Sequence, residues 1–364
     1  PMLVAAWFGV LKAGGICVAT MPLLRARELQ YVIDKAEVSM ALCDTELAEE
    51  MVGALELTDS IKHTLYFSKS GSGGEAATLE TACENKSGSF ETVNTAADDI
   101  ALIGFTSGTT GQPKGAMHFH RDVMAAADTF GRYIGKLVPA DIVTGTPPLA
   151  FTFGLGGILI FPMRFGASTR FLESPLPDQV LQTIQKYKIT QIYTAPTAYR
   201  AMADMIDDYD ISSLRQGVSA GETLPKATWE AFHKATGIRL IDGLGSTELF
   251  HIFVGATPEE MRAGFTGKAI PGYRARVVDD SGNEVPPGKP GQLAVQGPTG
   301  CKYLDDLDRQ PNYVKNGWNY PGDIYEMDAD GYFKYVARAY DMIISSGYNI
   351  SGPEVESVLL EHEA

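Results

Sequence analysis

The sequence predicts an α/β fold, with parallel sheets flanked by helices and a small β-barrel-like subdomain after them. Three observations lead there. Strand-like and helix-like segments alternate between residues 100 and 248, the pattern of βαβ units on a largely parallel sheet. Past Phe265 the helical patterns stop, and short β-rich pieces alternate with Pro/Gly clusters. The 364-residue chain is 45% hydrophobic, enough for about two or three domains with sizeable cores.

Taken in order, Met2–Ala13 reads as an apolar helix, Gly14–Thr20 as a glycine-led strand, Ala26–Ala36 as a helix and Met40–Cys43 as a short strand. Ser68–Glu75 is SKSGSGGE, a flexible loop by composition, and 81–99 reads as irregular surface chain. Ile100–Phe105 is an apolar run bounded by turn residues and suits a buried strand. A helix over Asp122–Ile134 follows, then strand Ile142–Thr146, helix Gln179–Tyr187, strand Gln191–Thr194 and helix Ala198–Ile206. Strand Leu214–Ser219, helix Lys226–Ala235 and strand Arg239–Ile241 complete the alternation. Ligands of such sheets sit beyond the C-terminal ends of the strands. SAGE (219–222) and DGLGSTE (242–248) each follow a strand, which places them on the same rim as the loop after Phe105. Arg276–Val278 and Gln292–Gln296, set between turn clusters, are the strands of an antiparallel subdomain.

A net charge of −15 argues against nucleic acid or an anionic membrane surface as the main partner. Anionic ligands then need local cationic or N–H-rich sites. No apolar stretch reaches the ~18 residues of a membrane span, and no basic segment precedes an apolar one, so neither a membrane anchor nor a signal peptide is expected. Four cysteines lie far apart without a CxxC pair, which fits a reducing, cytoplasmic setting and makes a zinc site or disulfide framework a poor expectation.

The densest signal is FTSGTTGQPKG, residues 105–115. Glycines let backbone N–H groups approach an anion, hydroxyls add donors, and Lys114 adds a point charge. It is not a P-loop, because Pro113 precedes Lys114 and Gly115 follows it, so no helix starts at the lysine. The residues alone suit either a polyphosphate cradle or a Gly/Thr linker.

The loop resembles the signature of the adenylate-forming superfamily of acyl- and aryl-CoA ligases, luciferases and adenylation domains. Three later stretches match in the expected order: GLGSTE (243–248), YPGDIYEMDADGYFKYVAR (320–338) and RAYDMIISSGYNISGPEVE (338–356). GFTSGTTGQPKGAMHFHRDV, TPPLAFTFGLGG and DGLGSTELFHIF point to the branch of benzoate– and 2-aminobenzoate–CoA ligases. The resemblance implies an αβαβα-like large domain of two subdomains over 1–265, the small β subdomain over 266–337, and over 338–364 a hinge with the start of an α+β lid. It also implies that the chain begins inside the N-terminal subdomain, and that most of the lid, with its lysine for the carboxylate and phosphate, lies beyond Ala364.

By the same resemblance Thr106, Ser107, Gly108, Thr109, Thr110, Gly111 and Lys114 hold the outer phosphates of ATP. Ala220, Gly221, Glu222 and Asp242 face adenine, and Gly243, Leu244, Gly245, Ser246 and Thr247 complete the nucleotide motif. Thr247 touches the α-phosphate and Glu248 holds Mg²⁺, which prefers carboxylate and phosphate oxygens. Asp323 takes the ribose hydroxyls, with Arg338 as its partner. Thr152, Phe153 and Gly154 line an aryl pocket closed by His251 and Ile252. Core packing explains the phenylalanines equally well. His118 and His120 stand at i, i+2, which on a strand puts both on one face; with no third ligand near in sequence, they read as structural.

The implied activity is two-step: ATP adenylates an aromatic carboxylate, and CoA then takes the acyl group as a thioester. ATP, the aromatic acid and CoA are the expected partners, and a homodimer is left open. A stand-alone aryl adenylation domain that loads a carrier protein shares every motif up to Arg338, and a nucleotide-binding fragment without turnover is the rival of another class.

Overall fold

The computed structural model describes residues 1–68, 78–84, 86–106 and 113–338, with the backbone of 343–345 and 348–350. The chain divides into two compact units, Pro1–Arg121 with Lys302–Asp306, and Asp122–Cys301 with Leu307–Ala364.

In the first unit, helix Ala26–Lys35 starts with its orphan amides satisfied. The Arg25 N–H donates to Glu28 Oε2 at 2.8 Å and the Ala26 N–H to Glu50 Oε2 at 2.9 Å. Leu29 and Ile33 pack that helix against Ala54 of helix Ala48–Leu55. Strand Met40–Asp44 runs parallel to His63–Phe67. The strand expected over Gly14–Thr20 reduces to one bridge, Cys17 to Leu102. Gly14 turns out of helix Met2–Lys12 at φ +76° and the Gly15 N–H returns to the Val10 carbonyl, so too little extended chain remains. A helix, Thr78–Glu84, occupies the start of the stretch expected to be irregular. Residues 69–75 of the SKSGSGGE loop lie outside the described residues.

Ile100–Thr106 is a strand as expected, but its place differs from the expectation. It pairs antiparallel with Lys114–Phe119 in a two-stranded sheet of the first unit, with Thr106 opposite Lys114, and is no member of the parallel sheet. The link between Thr106 and Lys114 is shorter than the dozen or so residues a parallel crossover needs. The rim shared by SAGE and DGLGSTE is therefore not the end of this strand's own sheet.

In the second unit, five parallel strands lie among the described residues in the order Ser168–Thr169, Ile142–Gly145, Gln191–Thr194, Gln216–Ser219 and Ile241–Asp242. Helices Pro177–Tyr187, Pro196–Ala203 and Lys226–Thr236 connect them. Two of the three begin on the proline whose missing N–H a first turn tolerates. Central strand Gln191–Thr194 is buried throughout, as a strand covered on both faces must be. The pairing sets Thr194, Ser219 and Asp242 side by side at the C-terminal edge.

The remaining strands are antiparallel. Leu244–Gly245, Ile252–Gly255 and Lys268–Ala269 form one sheet. A second runs Val314–Lys315, Trp318–Asn319, Gly291–Gln296, Asp323–Met327, Phe333–Arg338, with Arg274–Val278 also on Gly291–Gln296. No barrel closes among the described residues, which corrects the barrel-like expectation. The strands at one end are two residues long, and Trp318–Asn319 meets its neighbour through a single pair, Val295 with Asn319, too little ladder to carry a sheet round on itself. Of the hinge and lid stretch, Ile343–Ser345 pairs antiparallel with Tyr348–Ile350, and the remainder past Arg338 lies outside the described residues. No helix among the described residues is long and apolar enough to cross a membrane.

Candidate active site

The parallel sheet of the second unit delivers two loops to neighbouring positions. Past Ser219 come buried Ala220, then Gly221 at φ +92°, where a side chain would be strained, then exposed Glu222. Past Asp242 comes Gly243, whose N–H donates to the Ser219 carbonyl at 2.9 Å and so ties the loops together. A Cβ on Gly243 would stand 2.4 Å from Ile252 Cδ1, so the chain approaches that closely only with glycine. Burial pushes the Asp242 carboxyl up to about 7, offset in part by the Thr266 hydroxyl.

Leu244–Gly245 then pairs with Ile252–Gly255, and the residues between form the turn that carries Thr247 and Glu248. Ser246 Oγ accepts from the Leu249 N–H at 3.2 Å, and the Phe250 N–H donates to the Thr247 carbonyl at 3.1 Å. Phe250 closes the turn at φ +71° with its ring fully buried, a left-handed conformation that a bulky residue keeps only where its surroundings hold it. Thr247 and Glu248 are half-buried at the apex.

Asp323 and Arg338 meet across adjacent strands. Register pairs them, and Arg338 Nε stands 3.1 Å from Asp323 Oδ1. Gly322 at φ +87° makes the turn into the aspartate, and Arg338 Nη1 donates to the Pro321 carbonyl at 3.3 Å. Asp323 is pushed up to about 6, by burial first; the Arg338 charge lowers it and the Glu248 charge raises it. Burial also drives the Tyr325 phenol far upward, with Asp323 and Asp242 adding to the effect and Thr266 opposing it. Glu248 and Arg338 thus act on Asp323, and Asp323 and Asp242, far apart in sequence, both act on Tyr325.

TPPLAFTFGLGG enters a continuous helical stretch, Thr152–Gly154, Leu155–Ile160 and Phe161–Phe165. A Cβ on Gly156 would lie 2.5 Å from His251 Cδ2, and one on Gly157 2.5 Å from the Tyr193 ring. The glycines bring the helix against both rings. His251 is surrounded by Phe161, Phe130 and Phe153, with ring centroids 4.5, 5.2 and 5.7 Å away. Its Nε2 lies 3.3 Å from the Phe153 carbonyl, which can only accept, so Nε2 carries the proton. Burial holds the ring neutral, its pKa down at about 3. Nδ1 is therefore a bare acceptor, buried and without a hydrogen-bond partner among the described residues.

His251 and Phe153 are brought together, and Thr152 and Gly154 flank Phe153 in the chain. The Ile252 side chain packs on Gly243. Thr106 and Lys114 face each other at the loop end of their hairpin, with Lys114 Nζ 5.9 Å from the Tyr303 ring centroid. Ser107, Gly108, Thr109, Thr110 and Gly111 lie outside the described residues. His118 is buried on a strand that ends at Phe119, and His120 opens the following helix, so the shared face of the pair is lost. Among the described residues no three His, Cys, Asp or Glu gather as a metal cage. Sequence reasoning missed Phe130, Phe161, Tyr193, Thr266 and Tyr325. The double glycine at 156–157 signalled a close approach, but nothing local named its partners.

Comparison with known proteins identifies the family and the fold. The benzoate–CoA ligase of Thauera aromatica is 32% identical over 364 aligned positions, which span 98% of this chain and 68% of that protein. The crystal structure of the anthranilate CoA ligase AuaEII in complex with anthranoyl-AMP superposes with a TM-score of 0.93 at 34% identity, over 100% of this chain and 71% of its own. A benzoate CoA ligase from Burkholderia xenovorans LB400 superposes at 0.89 with 28% identity, over 100% and 72%. The pattern of the AMP-binding enzymes extends over residues 1–302, most of the described chain, and this protein belongs to the AMP-binding enzyme family.

Proposed function

We propose that this protein activates an aromatic carboxylic acid with ATP and transfers the acyl group to CoA, with 2-aminobenzoate or benzoate as the acid. The observation that carries the reading is the convergence of the Thr247–Glu248 turn, the Asp323–Arg338 pair and Asp242 in one unit that also holds the ring cluster around His251. The resemblance to an enzyme crystallised with anthranoyl-AMP supports an aryl rather than a long-chain substrate.

In the first step a carboxylate oxygen attacks the α-phosphorus, and the bond to pyrophosphate breaks. In the second, the CoA thiolate attacks the acyl carbon and AMP leaves with the electron pair. The thiol proton goes to solvent or base. Phosphoryl chemistry of this kind leaves the protein alignment and charge stabilisation as its main work. Thr247 contacts the α-phosphate. Asp323 accepts from the ribose hydroxyls while Arg338 keeps it ionised. Asp242, Ala220, Gly221 and Glu222 border adenine. Lys114 and the hydroxyl loop keep the outer-phosphate role that the motif implies. Thr152, Phe153, Gly154 and His251 border the aromatic ring.

The residues fit Mg²⁺. Glu248 is a half-buried carboxylate within the field of Asp323, where a cation relieves two negative charges. A single carboxylate with phosphate oxygens and water is how Mg²⁺ is commonly held. Bound there, the ion would neutralise phosphate charge.

The test is ATP–pyrophosphate exchange and thioester formation by the purified protein with benzoate, 2-aminobenzoate, acetate and a long-chain acid. Exchange with the two aryl acids and an aryl-CoA product are expected. Preference for the long-chain acid overturns the pocket assignment, and transfer to a carrier protein but not to CoA selects the carrier-loading alternative.

A further inference from the structure

The Thr247–Glu248 turn is held from behind by a hydrogen-bond chain remote in sequence. Thr299, 3% exposed, donates from Oγ1 to the Leu249 carbonyl at 2.8 Å. Tyr273, 7% exposed, has its hydroxyl 2.7 Å from the same Thr299 Oγ1. A threonine hydroxyl has one proton, and a carbonyl can only accept. The Thr299 proton is therefore committed to Leu249, and Tyr273 must be the donor to Thr299. The chain runs one way, Tyr273 O–H to Thr299 O–H to Leu249 C=O, and successive bonds of that polarity reinforce each other.

Tyr273 is itself placed by glycine. A Cβ on Gly297 would stand 2.2 Å from its ring, so the ring lies against bare backbone. The bonded carbonyl belongs to the residue directly after Glu248 and directly before Phe250, the buried residue at φ +71°. Freed of Thr299, Leu249 would keep an unsatisfied buried carbonyl beside a strained neighbour, and the peptide could rotate to relieve both. The Phe250 N–H of the same peptide donates to the Thr247 carbonyl at 3.1 Å, so rotation there would also break the bond that closes the turn around Glu248.

We propose that Thr299, backed by Tyr273, is the positioning residue of the Thr247–Glu248 turn: it touches no substrate, and it sets where those two side chains point. This rests on the reading that Thr247 and Glu248 act on the nucleotide phosphates and their metal.

The experiment compares wild type with Thr299→Val, Thr299→Ser, Tyr273→Phe and Glu248→Gln. Hydrogen exchange of the 246–251 amides, melting temperature, and kcat and KM for both ATP and the aryl acid in pyrophosphate exchange are measured. Thr299→Val is expected to speed exchange in the turn and lower kcat about tenfold or more, the scale of one buried hydrogen bond, with the aryl-acid KM unchanged. Thr299→Ser, which keeps the hydroxyl, restores both; Tyr273→Phe shows the same effects more weakly. Wild-type exchange and kcat in Thr299→Val, or failure of serine to rescue, overturns the proposal. If Thr299→Val does not fold, Tyr273→Phe decides by the same readouts, and wild-type behaviour in it overturns the chain. Normal activity in Glu248→Gln would instead sink the underlying reading, so the two failures are distinguishable.

Discussion

Asp323 and Arg338 stand opposite each other in adjacent antiparallel strands, with Nε 3.1 Å from Oδ1, and the aspartate is buried while the arginine is half open. The pairing is therefore one-sided. Arg338 can reach solvent, but Asp323 has little to offset its charge apart from that guanidinium, and Glu248 adds to its burden.

Replacing Arg338 by Gln should accordingly raise the Asp323 pKa further and weaken its grip on ribose. Nucleotide affinity is expected to fall about tenfold, the value of a charge-assisted hydrogen bond. Calorimetry with AMP against 2′-deoxy-AMP is the check. A wild-type ratio between the two nucleotides in Arg338→Gln would show that the pair does not meet the ribose.

Asp242 should imprint a pH dependence on stability. Its pKa rises from 3.8 to about 7 on folding. Below 3.8 both states are protonated and nothing is lost. As pH climbs from there towards 7, the unfolded chain releases the proton while the fold retains it, so stability falls by up to about 1.4 kcal/mol per pH unit and levels off above. His251 acts in the opposite sense. Its pKa drops from 6.5 to about 3, so its contribution is lost as pH falls through that interval. The difference between wild type and Asp242→Asn isolates the aspartate: between pH 5 and 8 the wild-type urea midpoint should fall relative to that of the variant. Parallel curves would rule out a buried, proton-retaining Asp242.

Gly156→Ala should act on the acid and not on ATP. The new methyl would meet the side of the His251 ring, which Phe130, Phe153 and Phe161 prevent from retreating. Overpacking of this kind costs about 1–3 kcal/mol. A lowered melting point with a raised KM for the aryl acid and an unchanged KM for ATP is expected. Gly157→Ala, which meets Tyr193 instead, should lower stability with a smaller effect on that KM. Equal kinetic effects from both would detach His251 from the substrate.

Lys114→Ala should weaken ATP more than AMP, because its assigned partners are the outer phosphates. Calorimetric titration with the two nucleotides tests this, and an equal loss for both refutes the role.

Much of the fold was legible in the chain itself, because local pattern decides it. The βαβ alternation placed four strands of the parallel sheet and the helices between the last three to within a few residues, and missed the two-residue edge strand Ser168–Thr169, since period and punctuation are properties of neighbouring side chains and two residues carry no period. Lys114–Phe119 was missed for a matching reason. Hydrophobicity marks a strand as buried but does not say which strand it pairs with, and the short link back to Thr106 decided for an antiparallel hairpin.

The chemical residue types were also present in sequence: the hydroxyl loop, the single carboxylate of GLGSTE, the aspartate and arginine fifteen residues apart. What only the tertiary structure decided is their company. Tyr325 and Thr266 beside Asp242, Phe130 and Phe161 around His251, and Tyr273 and Thr299 behind Leu249 come from elements tens to hundreds of residues away. Ile252, adjacent to His251 in sequence, covers Gly243. Sequence spacing determines which side chains can share a face of one element. Burial, the tautomer of a histidine and the charge state of an aspartate depend on what other elements pack against that face, and that is set only when the chain closes on itself.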